Sequence, residues 1–325
     1  MKLIVPMAEK GEFLGSSPHS TPKGLVHIAG KPLIEHILNS ISKLKIDKAI
    51  FIVDENYSEL REILKNYSFE SVFIKQKEKK GVGHAIYGAR KHCKNDDVLI
   101  LLGDSLIEVD WKNFPPRNCE GLIWTMKVKD PSNFGVVFKH DGFVTRLLEK
   151  PDNPISDEAI VGLYYFSNSN EVFDSLNHII SNEITNKGEY QLTDAIQFMI
   201  SKGLKIKSLE VVDWYDCGNI PHILNTNRYL LSENKSRVSE VENSVILKPV
   251  YIEKGAIIKN SIIGPFVSVG RQAVIKNSII KESIINESAV VEDASLKECM
   301  IGKKTIIRGN AKKLNVGDNS EIHYT

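Results

Sequence analysis

The first two thirds of the chain alternate short apolar runs with segments in which apolar residues recur every three or four positions. The apolar runs predict strands at 2–7, 48–54, 71–75 and 97–104. The intervening segments have the spacing of amphipathic helices and lie at 33–44, 58–67 and 83–93. Strands that alternate with helices are typical of an α/β domain with a mostly parallel central sheet. Ligands bind beyond the carboxyl ends of such strands, which places the loops after Met7 and Lys75 beside Asp104.

A second period, of six residues with some steps of five, governs the chain from Ser244 onward. Its aliphatic members are Ile246, Ile252, Ile258, Ile263, Val269, Ile275, Ile280, Ile285, Val291, Leu296, Ile301 and Ile307. Two positions before each stands a small or β-branched residue: Ser244, Val250, Ala256, Ser261, Val267, Ala273, Ser278, Ser283, Ala289, Ala294, Cys299 and Thr305. Two columns in fixed phase predict a left-handed parallel β-helix of hexapeptide repeats, about four coils long, with the aliphatic column inside.

Glycines follow the aliphatic column directly at three steps, Gly264, Gly270 and Gly302. We expect turns with positive φ at these positions, because glycine adopts that conformation without steric cost. A β-sandwich is the competing interpretation of the repeat, but it predicts turn clusters every ~8–12 residues and no shared column of small residues. The polar segment 232–243 has the composition of a linker, so we expect an N-terminal domain at 1–235 and a β-helix domain at 244–325.

The overall charge is nearly balanced, with 42 Lys and Arg against 41 Asp and Glu among 325 residues. We therefore expect neither nucleic acid nor a membrane as a partner, and any anionic substrate must be bound by a local site. The four cysteines show no CxxC spacing, which argues against a zinc site and a disulfide framework. No apolar run approaches the ~18 residues of a membrane span. A reducing cytoplasm is the expected location.

Several short segments occur along the chain in a fixed order. They are PMAEKGEFLGSSPHSTPKGLVHIAGKPLIEHIL (6–38), QKEKKGVGHAI (76–86), LLGDSLIE (101–108), FGVVF (134–138), LLEKP (147–151), VGLYYF (161–166), GEYQLTDAI (188–196) and WYDCGNIPHILNTNRYLL (214–231). In this order they resemble the motifs of the sugar-phosphate nucleotidyltransferases. Together with the β-helix, the chain is most similar to the long form of that family, glucose-1-phosphate thymidylyltransferase. The resemblance implies a Rossmann-like nucleotidyltransferase domain.

The resemblance also implies a reaction, in which a sugar-1-phosphate oxygen attacks the α-phosphorus of a nucleoside triphosphate and releases pyrophosphate. Asp104 and Asp216 match the two metal-binding acids of the family, and magnesium suits such a site because it takes one or two carboxylates plus phosphate oxygens and water. Lys23 matches a lysine close to the nucleotide phosphates. These three residues form the implied catalytic set: Lys23, Asp104 and Asp216.

The remaining matched positions divide into two groups. The positions implied to bind the nucleotide are Met7, Ala8, Gly11, Gln76, Gly81 and Gly103. The positions implied to bind the sugar phosphate are Gly135, Glu149, Lys150, Gly162, Tyr164 and Glu189. Gln76 matches the residue that reads a pyrimidine base, so the implied product is an NDP-sugar of the dTDP- or UDP-glucose type.

These residues also have ordinary structural explanations. An aspartate at a strand end commonly caps a turn, and a surface lysine is usually just solvated. Gly135 and Glu189 also fit a turn glycine and a helix-starting acid. Gly81 and Gly83 resemble the start of a dinucleotide fingerprint, but no third glycine follows at the required spacing.

The glycine-containing loop departs from the family pattern. The family's Gly-x-Gly-Thr-Arg loop has an arginine ten residues before the Pro-Lys lysine, and Phe13 occupies that position here. Glu9 and Glu12 stand where glycine and a hydroxyl residue are expected, and two carboxylates repel a triphosphate. An arginine that stabilises the transition state can contribute ~10³-fold or more to the rate of phosphoryl transfer.

Two interpretations of this departure stay open. In one, the loop is rearranged and another cation, such as Arg90 or Lys10, replaces the arginine. In the other, the chain is a catalytically impaired homologue that binds sugar nucleotides as a regulatory or scaffold subunit. The presence of both Asp104 and Asp216, and of both Lys23 and Lys150, favours an active nucleotidyltransferase.

The β-helix has no chemistry of its own that the sequence identifies. Acyltransferases of this repeat class use a histidine at the coil interface, whereas the only histidine here beyond His222 is His323, close to the C-terminus. A β-helix presents flat faces and an open end that another chain can cover. We therefore expect a role in assembly, with the chain forming a homo-oligomer.

Overall fold

The computed structural model describes residues 1–8, 22–54, 57–112, 114–115, 118–152, 156–234, 236–239, 241–309 and 315–323. The chain forms two compact units. The first, called the sheet unit, consists of Met1–Glu9 and Ile37–Trp214, and the second, called the coil unit, consists of Lys10–His36 and Tyr215–Thr325. Each unit draws on two separate stretches of sequence, so no single cut in the chain divides them. The predicted boundaries 1–235 and 244–325 stay a prediction.

The chain up to the repeat contains thirteen described strands and six helices. In order they are β1 (Lys2–Pro6), β2 (His27–Ile28), β3 (Lys31–Pro32), α1 (Leu33–Ser40), β4 (Lys48–Val53), α2 (Ser58–Leu64), β5 (Glu70–Lys75), α3 (Val82–Tyr87), β6 (Val98–Leu101), β7 (Ser105–Glu108), β8 (Gly121–Lys127), β9 (Gly135–His140), β10 (Phe143–Glu149), β11 (Glu158–Phe166), α4 (Ser169–Ser181), α5 (Leu192–Ser201), β12 (Ile206–Glu210), β13 (Asp213–Asp216) and α6 (Ile220–Glu233). Short 3-10 turns lie at Lys23–Leu25 and Gly88–His92.

The sheet unit is built on a nine-stranded sheet with the order β5-β4-β1-β6-β11-β8-β12-β10-β9. The first four strands pair in parallel, as predicted. Beyond them the sheet is mixed, because β11 pairs antiparallel with both β6 and β8 and β10 pairs antiparallel with β9, whereas β12 pairs parallel with β8. The physical reason at β9–β10 is a two-residue turn, Asp141–Gly142, with positive φ at both positions. Such a turn joins antiparallel strands only.

The central strands of this sheet are buried on both faces. All nine residues of β11 are buried, as are Leu3, Ile4 and Val5 in β1. Strands covered on both faces need continuous apolar sequence, which explains why β1, β4 and β6 read as uninterrupted apolar runs. Because β1, β4, β5 and β6 run parallel, their carboxyl ends lie at the same edge of the sheet.

The repeat folds into three parallel sheets, each formed by every third strand. The strands are β14 (Val245–Ile246), β15 (Val250–Ile252), β16 (Ile257–Lys259), β17 (Ile262–Ile263), β18 (Val267–Val269), β19 (Val274–Lys276), β20 (Ile279–Lys281), β21 (Ile284–Ile285), β22 (Val290–Glu292), β23 (Ser295–Lys297), β24 (Met300–Ile301), β25 (Ile306–Arg308), β26 (Asn315–Val316) and β27 (Glu321–His323). Their sheets are β14-β17-β20-β23, β15-β18-β21-β24-β26 and β16-β19-β22-β25-β27. This is the left-handed β-helix predicted from the hexapeptide period.

Both predicted columns lie inside the β-helix. From Val250 to Ile307 every member of the aliphatic and small-residue columns is buried, and only the first pair, Ser244 and Ile246, is half-buried. Full burial of an aliphatic side chain stabilises a fold by about 1.5–3 kcal/mol, so the aliphatic column is the main source of cohesion between coils.

The glycine prediction holds at one position of three. Gly264 has φ +106, whereas Gly270 and Gly302 do not have positive φ. At Gly270 the reason is space, because an added Cβ would lie 2.7 Å from the Glu287 backbone nitrogen of the next coil. The segment predicted to be a linker also differs from expectation, since Arg237 and Glu242 already form parallel bridges with the first coil.

Candidate active site

The loops at the carboxyl edge of the parallel strands bring several predicted nucleotide positions together. Met7 N donates to Ile52 O at 2.7 Å, so the pairing of β1 with β4 continues one residue beyond β1. Ala8 is the next residue. Gly103 N donates to Pro6 O at 3.3 Å, and a Cβ at Gly103 would lie 2.8 Å from Met7 Cγ. Asp104 follows directly and is half-buried. Glycine at position 103 therefore lets the segment that leads to Asp104 pack directly against the end of β1.

Gly81 connects the predicted base-reading segment, which starts at Gln76, to the predicted sugar side. Its φ is +99, and an added Cβ would lie 2.7 Å from Tyr190 O and 2.9 Å from Glu189 Cβ. Tyr190 is held there by two backbone hydrogen bonds, from Tyr190 N to Lys80 O at 2.9 Å and from Gly83 N to Tyr190 O at 2.8 Å. The structure therefore brings Gly81 and Glu189 together, as a joint binding surface requires.

Glu149 is the centre of the predicted sugar side. It pairs with Gly135 across β10 and β9, and its Oε2 accepts a hydrogen bond from Thr193 Oγ1 at 2.9 Å. Burial raises the pKa of the Glu149 carboxyl, and the nearby Asp194 and Glu189 raise it further, while the Thr193 hydrogen bond and Lys150 lower it. Asp194 Oδ2 is itself buried with no hydrogen-bond partner, so acceptors cluster here. Such a cluster suits the hydroxyl groups of a sugar.

The other predicted sugar positions lie on β11 and directly after β10. Gly162 has φ +87 at a shift in the β11–β8 register, and its carbonyl accepts from Leu102 N at 2.9 Å. Tyr164 is buried, and burial followed by the charge of Glu149 raises the pKa of its hydroxyl. Lys150 directly follows β10 with φ +41, its amide donates to Phe134 O at 3.1 Å, and its side chain is exposed.

Lys23 and Asp216 belong to the coil unit. Lys23 begins the 3-10 turn Lys23–Leu25 and is half-buried. Asp216 ends β13 and is held by two contacts: Gly218 N donates to its Oδ1 at 3.1 Å, and His222 Nδ1 donates to its Oδ2 at 2.7 Å. Gly11 and the departing positions Glu9, Lys10, Glu12 and Phe13 lie outside the described residues.

The donor chemistry at Asp104 and Asp216 fits a hard divalent cation. Both are carboxylates, the ligand type that magnesium prefers. Among the residues that the structure describes, no three His, Cys, Asp or Glu side chains form a group that would hold a metal ion. Magnesium in sites of phosphoryl transfer takes one or two carboxylates and completes its shell with phosphate oxygens and water, so either carboxylate is a suitable ligand type for it.

Sequence reasoning missed three residues that contact the site. His222 orients Asp216, and Thr193 binds Glu149. Lys79 Nζ donates to Ala8 O at 2.8 Å and to Asp54 Oδ2 at 3.1 Å, which places a cation at the start of the loop that lacks arginine. The spacing Asn219-x-Pro221-His222 is a helix N-cap signal that would have located His222, whereas nothing in the sequence marked Lys79.

Arg90 and Lys10 are the two cations that the sequence offered to replace the missing arginine, and of these Arg90 lies among the described residues. Its guanidinium carbon lies 4.3 Å from the centre of the Tyr87 ring, and its Nη1 donates to Tyr87 O at 3.2 Å. Arg90 therefore contacts its own helical segment, whereas Lys79 contacts Ala8 at the start of the loop, so Lys79 is the candidate to test.

None of the helices in the described part of the chain is long and apolar enough to cross a membrane.

Solved structures share the fold of this chain. One is a UDP-glucose pyrophosphorylase complexed with UDP-glucose, with a TM-score of 0.59, 20% identity and coverage of 72% of this chain and 99% of that one. Another is a putative glucose-1-phosphate thymidylyltransferase from Bacillus anthracis, with a TM-score of 0.61 and 21% identity over 73% of this chain and 97% of that one.

Curated relatives match over greater lengths. Glucose-1-phosphate thymidylyltransferase of Streptomyces antibioticus is 29% identical and covers 99% of both chains. The low-salt glycan biosynthesis nucleotidyltransferase Agl11 of Haloferax volcanii is 30% identical and also covers 99% of both. The bifunctional protein GlmU of Methanocaldococcus jannaschii is 33% identical over 79% of this chain, which spans 61% of that relative.

Two family models match in succession. Residues 18–233 match the model of nucleotidyl transferases, and residues 232–291 match that of the GlmU-like C-terminal hexapeptide. The first match alone extends over more than half of the chain. The chain therefore belongs to the nucleotidyl transferase family and carries a C-terminal hexapeptide domain of the GlmU-like type.

Proposed function

We propose that this nucleotidyltransferase joins a nucleoside triphosphate to a sugar-1-phosphate, giving an NDP-sugar and pyrophosphate. The observation that carries the proposal is the meeting of Gly81 with Glu189, which connects the segment of Gln76 to the acceptors around Glu149. The full-length similarity to thymidylyltransferases supports it, and a purely regulatory or scaffold role is not favoured.

The chemistry is an in-line substitution at phosphorus. An oxygen of the sugar-1-phosphate forms a bond to the α-phosphorus, the bond from that phosphorus to the bridging oxygen of the β-phosphate breaks, and pyrophosphate leaves. Atoms and charges balance without an oxidant or a further reactant. The residues of the chain contribute position and charge: we assign Lys23 and Lys79 to the nucleotide phosphates and Lys150 to the sugar phosphate.

We assign Asp104 and Asp216 to a divalent cation, Mg²⁺. When bound, the cation neutralises charge on the phosphate oxygens. The protein's own part is to hold the two carboxylates in position, and the contacts of Asp216 with His222 and Gly218 serve that purpose.

We assign the other matched residues in the same way. Met7, Ala8, Gly11, Gly81 and Gly103 approach the nucleotide, and Gln76 reads a pyrimidine base, which favours dTTP or UTP. Glu149 and Glu189 accept hydrogen bonds from a sugar of the glucose type, with Gly135, Gly162 and Tyr164 shaping the pocket around them.

Release of pyrophosphate from a panel of nucleoside triphosphates, sugar-1-phosphates and Mg²⁺ tests the proposal. We expect turnover with a pyrimidine triphosphate and a hexose-1-phosphate. Absence of turnover with every pair would exclude the proposed reaction. Chelation of the metal should abolish turnover and re-addition should restore it.

We further propose that the chain forms a homo-oligomer through one face of the β-helix. Val245, Ile262 and Ile279 occupy consecutive, register-matched positions on the outer side of β14, β17 and β20, with 54%, 36% and 42% of their surface exposed. A contiguous row of exposed aliphatic residues on a flat sheet is typical of an interaction surface. The repetition of the row makes it self-complementary, which suits a second copy of the chain.

A further inference from the structure

The turn that follows Lys23 rests on the β-helix. Strands β2 and β3 form a hairpin whose turn consists of Ala29 and Gly30, both with positive φ. A Cβ added at Gly30 would overlap the ring of Tyr251, which belongs to β15 in the first coil. Glycine at this position therefore allows the backbone of the turn to lie directly against the coil.

One buried side chain, Asn227 of α6, fixes this arrangement. Asn227 is 1% exposed, and its Oδ1 accepts hydrogen bonds from Ala29 N at 3.0 Å and from Ser268 Oγ at 2.6 Å. Its Nδ2 donates to Phe266 O at 3.2 Å. A single carboxamide thus connects the hairpin, the last helix and the second coil of the β-helix. Removing it would leave buried polar groups without partners, which is costly inside a protein.

Backbone hydrogen bonds connect the hairpin to Lys23, which lies only a few residues before it. Val26 N donates to Lys23 O at 3.1 Å, and Leu33 N donates to Val26 O at 2.9 Å. The 3-10 turn of Lys23 and the hairpin are therefore closed by hydrogen bonds on both sides. The position of Lys23 depends on where the turn at Ala29 is held.

We propose that Asn227 is a positioning residue for Lys23, so that the β-helix contributes to nucleotidyl transfer by fixing a phosphate-binding lysine. The proposal rests on the proposed function. It gives the β-helix a part in the reaction beyond assembly, although none of its described side chains is assigned to the chemistry.

A purely structural role for Asn227 would have a different signature. A buried amide that only stabilises the fold would, when removed, affect both substrates alike and act independently of Lys23. A positioning residue would affect the step that uses Lys23 and spare the sugar side, whose residues belong to the sheet unit. A displacement of about 1 Å at a catalytic group can reduce the rate ~10²-fold.

The test compares Asn227→Ala with Asn225→Ala in the full chain. Asn225 lies on the same helix, is exposed and makes no contact assigned to the site. We expect Asn227→Ala to lower kcat/KM for the nucleotide about 10- to 100-fold while KM for the sugar-1-phosphate changes no more than about twofold. Asn225→Ala should stay within about twofold of the wild type on both measures. Hydrogen exchange should become faster at Ala29 in Asn227→Ala only.

A double-mutant cycle with Lys23→Met connects the effect to the lysine. If Asn227 acts through Lys23, adding Asn227→Ala to Lys23→Met should reduce the remaining activity by no more than about twofold. A further loss equal to that in the wild type would overturn the proposal. So would faster exchange at Ala29 with unchanged kcat/KM.

Two additional measurements keep the test decisive. Wild-type protein without turnover would refute the proposed function itself, which is a separate outcome from an active wild type that tolerates Asn227→Ala. If Asn227→Ala does not fold, Ser268→Ala removes only the bond from the coil, and we expect it to lower kcat/KM for the nucleotide about three- to tenfold. An active, folded Ser268→Ala protein with unchanged kinetics would count against the proposal.

Discussion

At the scale of single residues, Lys79 is a described cation that lies beside the start of the loop in which the arginine is missing. Its amine lies 2.8 Å from Ala8 O, at the start of the loop that carries Phe13. We expect Lys79→Gln to lower kcat about 10- to 100-fold, because a charge-assisted contact contributes about 1.5–3 kcal/mol. Steady-state kinetics with Lys80→Gln as a control checks this, since Lys80 is a neighbouring cation that pairs with Glu78 instead.

The same prediction separates a rearranged loop from a decayed one. If Lys79 has taken over the role of the arginine, Phe13→Arg should leave the wild type nearly unchanged but restore activity to Lys79→Gln. A gain of activity from Phe13→Arg in the wild type, with no effect of Lys79→Gln, would show instead that the loop has lost its cation without replacement.

Glu149 combines a cost in stability with a role in binding. The pKa of Glu149 is raised above its ordinary value of 4.5 in the folded protein. Between these two pKa values the folded protein keeps a proton that the unfolded chain releases. The free energy of unfolding therefore falls as the pH rises from 4.5 through the raised pKa. Gln has no charge to bury, and we expect Glu149→Gln to raise Tm at neutral pH, with the gain disappearing below pH 4.5. We expect kcat/KM for the sugar-1-phosphate to fall about 10- to 100-fold. Thermal unfolding across pH and steady-state kinetics measure the two effects.

Glu158 provides a control of opposite sign. Burial alone would raise the pKa of Glu158, but hydrogen bonds from Lys139 and Thr125, the charge of Lys139 and a hydrogen bond from Ser208 together lower it. Its ionised form therefore stabilises the fold at neutral pH, and Glu158→Gln should lower Tm there, with the loss disappearing as the pH falls below the ordinary value. Equal shifts in both variants would contradict the assignment of cause.

Motif order assigned residues to a nucleotide group and a sugar group, but it did not indicate the residues that hold them. Gly81 and Glu189, which the resemblance assigns to different groups, lie together in the structure. Thr193 and Asn227 could not be found in this way, because a hydroxyl or amide in a helix has no sequence signature until its partner is known. Their partners, Glu149 and Ala29, lie 44 and 198 positions away.

At the scale of elements, the periodicity of the sequence predicted the β-helix better than it predicted the nine-stranded sheet. Each coil side repeats the same burial pattern, so two columns of sequence determine the inside of the β-helix. The second half of the nine-stranded sheet lacks such a repeat, since β8 to β12 combine parallel and antiparallel pairs. The short turn at Asp141–Gly142 was the local signal for antiparallel pairing.

The exposed row on β14, β17 and β20 leads to a prediction about assembly. A lysine at Ile262 would place a charge in the middle of the row, and we expect Ile262→Lys to shift the protein to a smaller species in sedimentation or light scattering. Ile257→Lys is the matched control, because Ile257 is 46% exposed but lies on β16, in a different sheet. A wild type that is already monomeric, or an equal effect of both variants, would argue against this face as the interface.

At the scale of the whole molecule, the two compact units do not follow a single division of the sequence. Lys23 and Asp216 belong to the unit that contains the β-helix, whereas Asp104, Gln76 and Glu149 belong to the other. Composition could not predict this division, because the segment around Lys23 is separated from the coil by nearly the whole sheet unit. Contacts such as Asn227 with Ala29 and Ser268 create the unit only after folding.

This division leads to an expectation for truncated chains. A chain ending at residue 235 would retain α6 but lose Tyr251, Phe266 and Ser268, so that Asn227 and the turn at Gly30 would lose the surface on which they pack. We expect it to unfold at a lower temperature and without nucleotidyl transfer. Of the described strands, a chain ending at Arg308 loses β26 and β27, and it keeps those contacts, so it should retain activity with a reduced Tm. Circular dichroism melts and pyrophosphate release distinguish the two truncated chains.

An active, stable 1–235 fragment would show that the β-helix is dispensable for the reaction and would restore the simpler division into two independent domains.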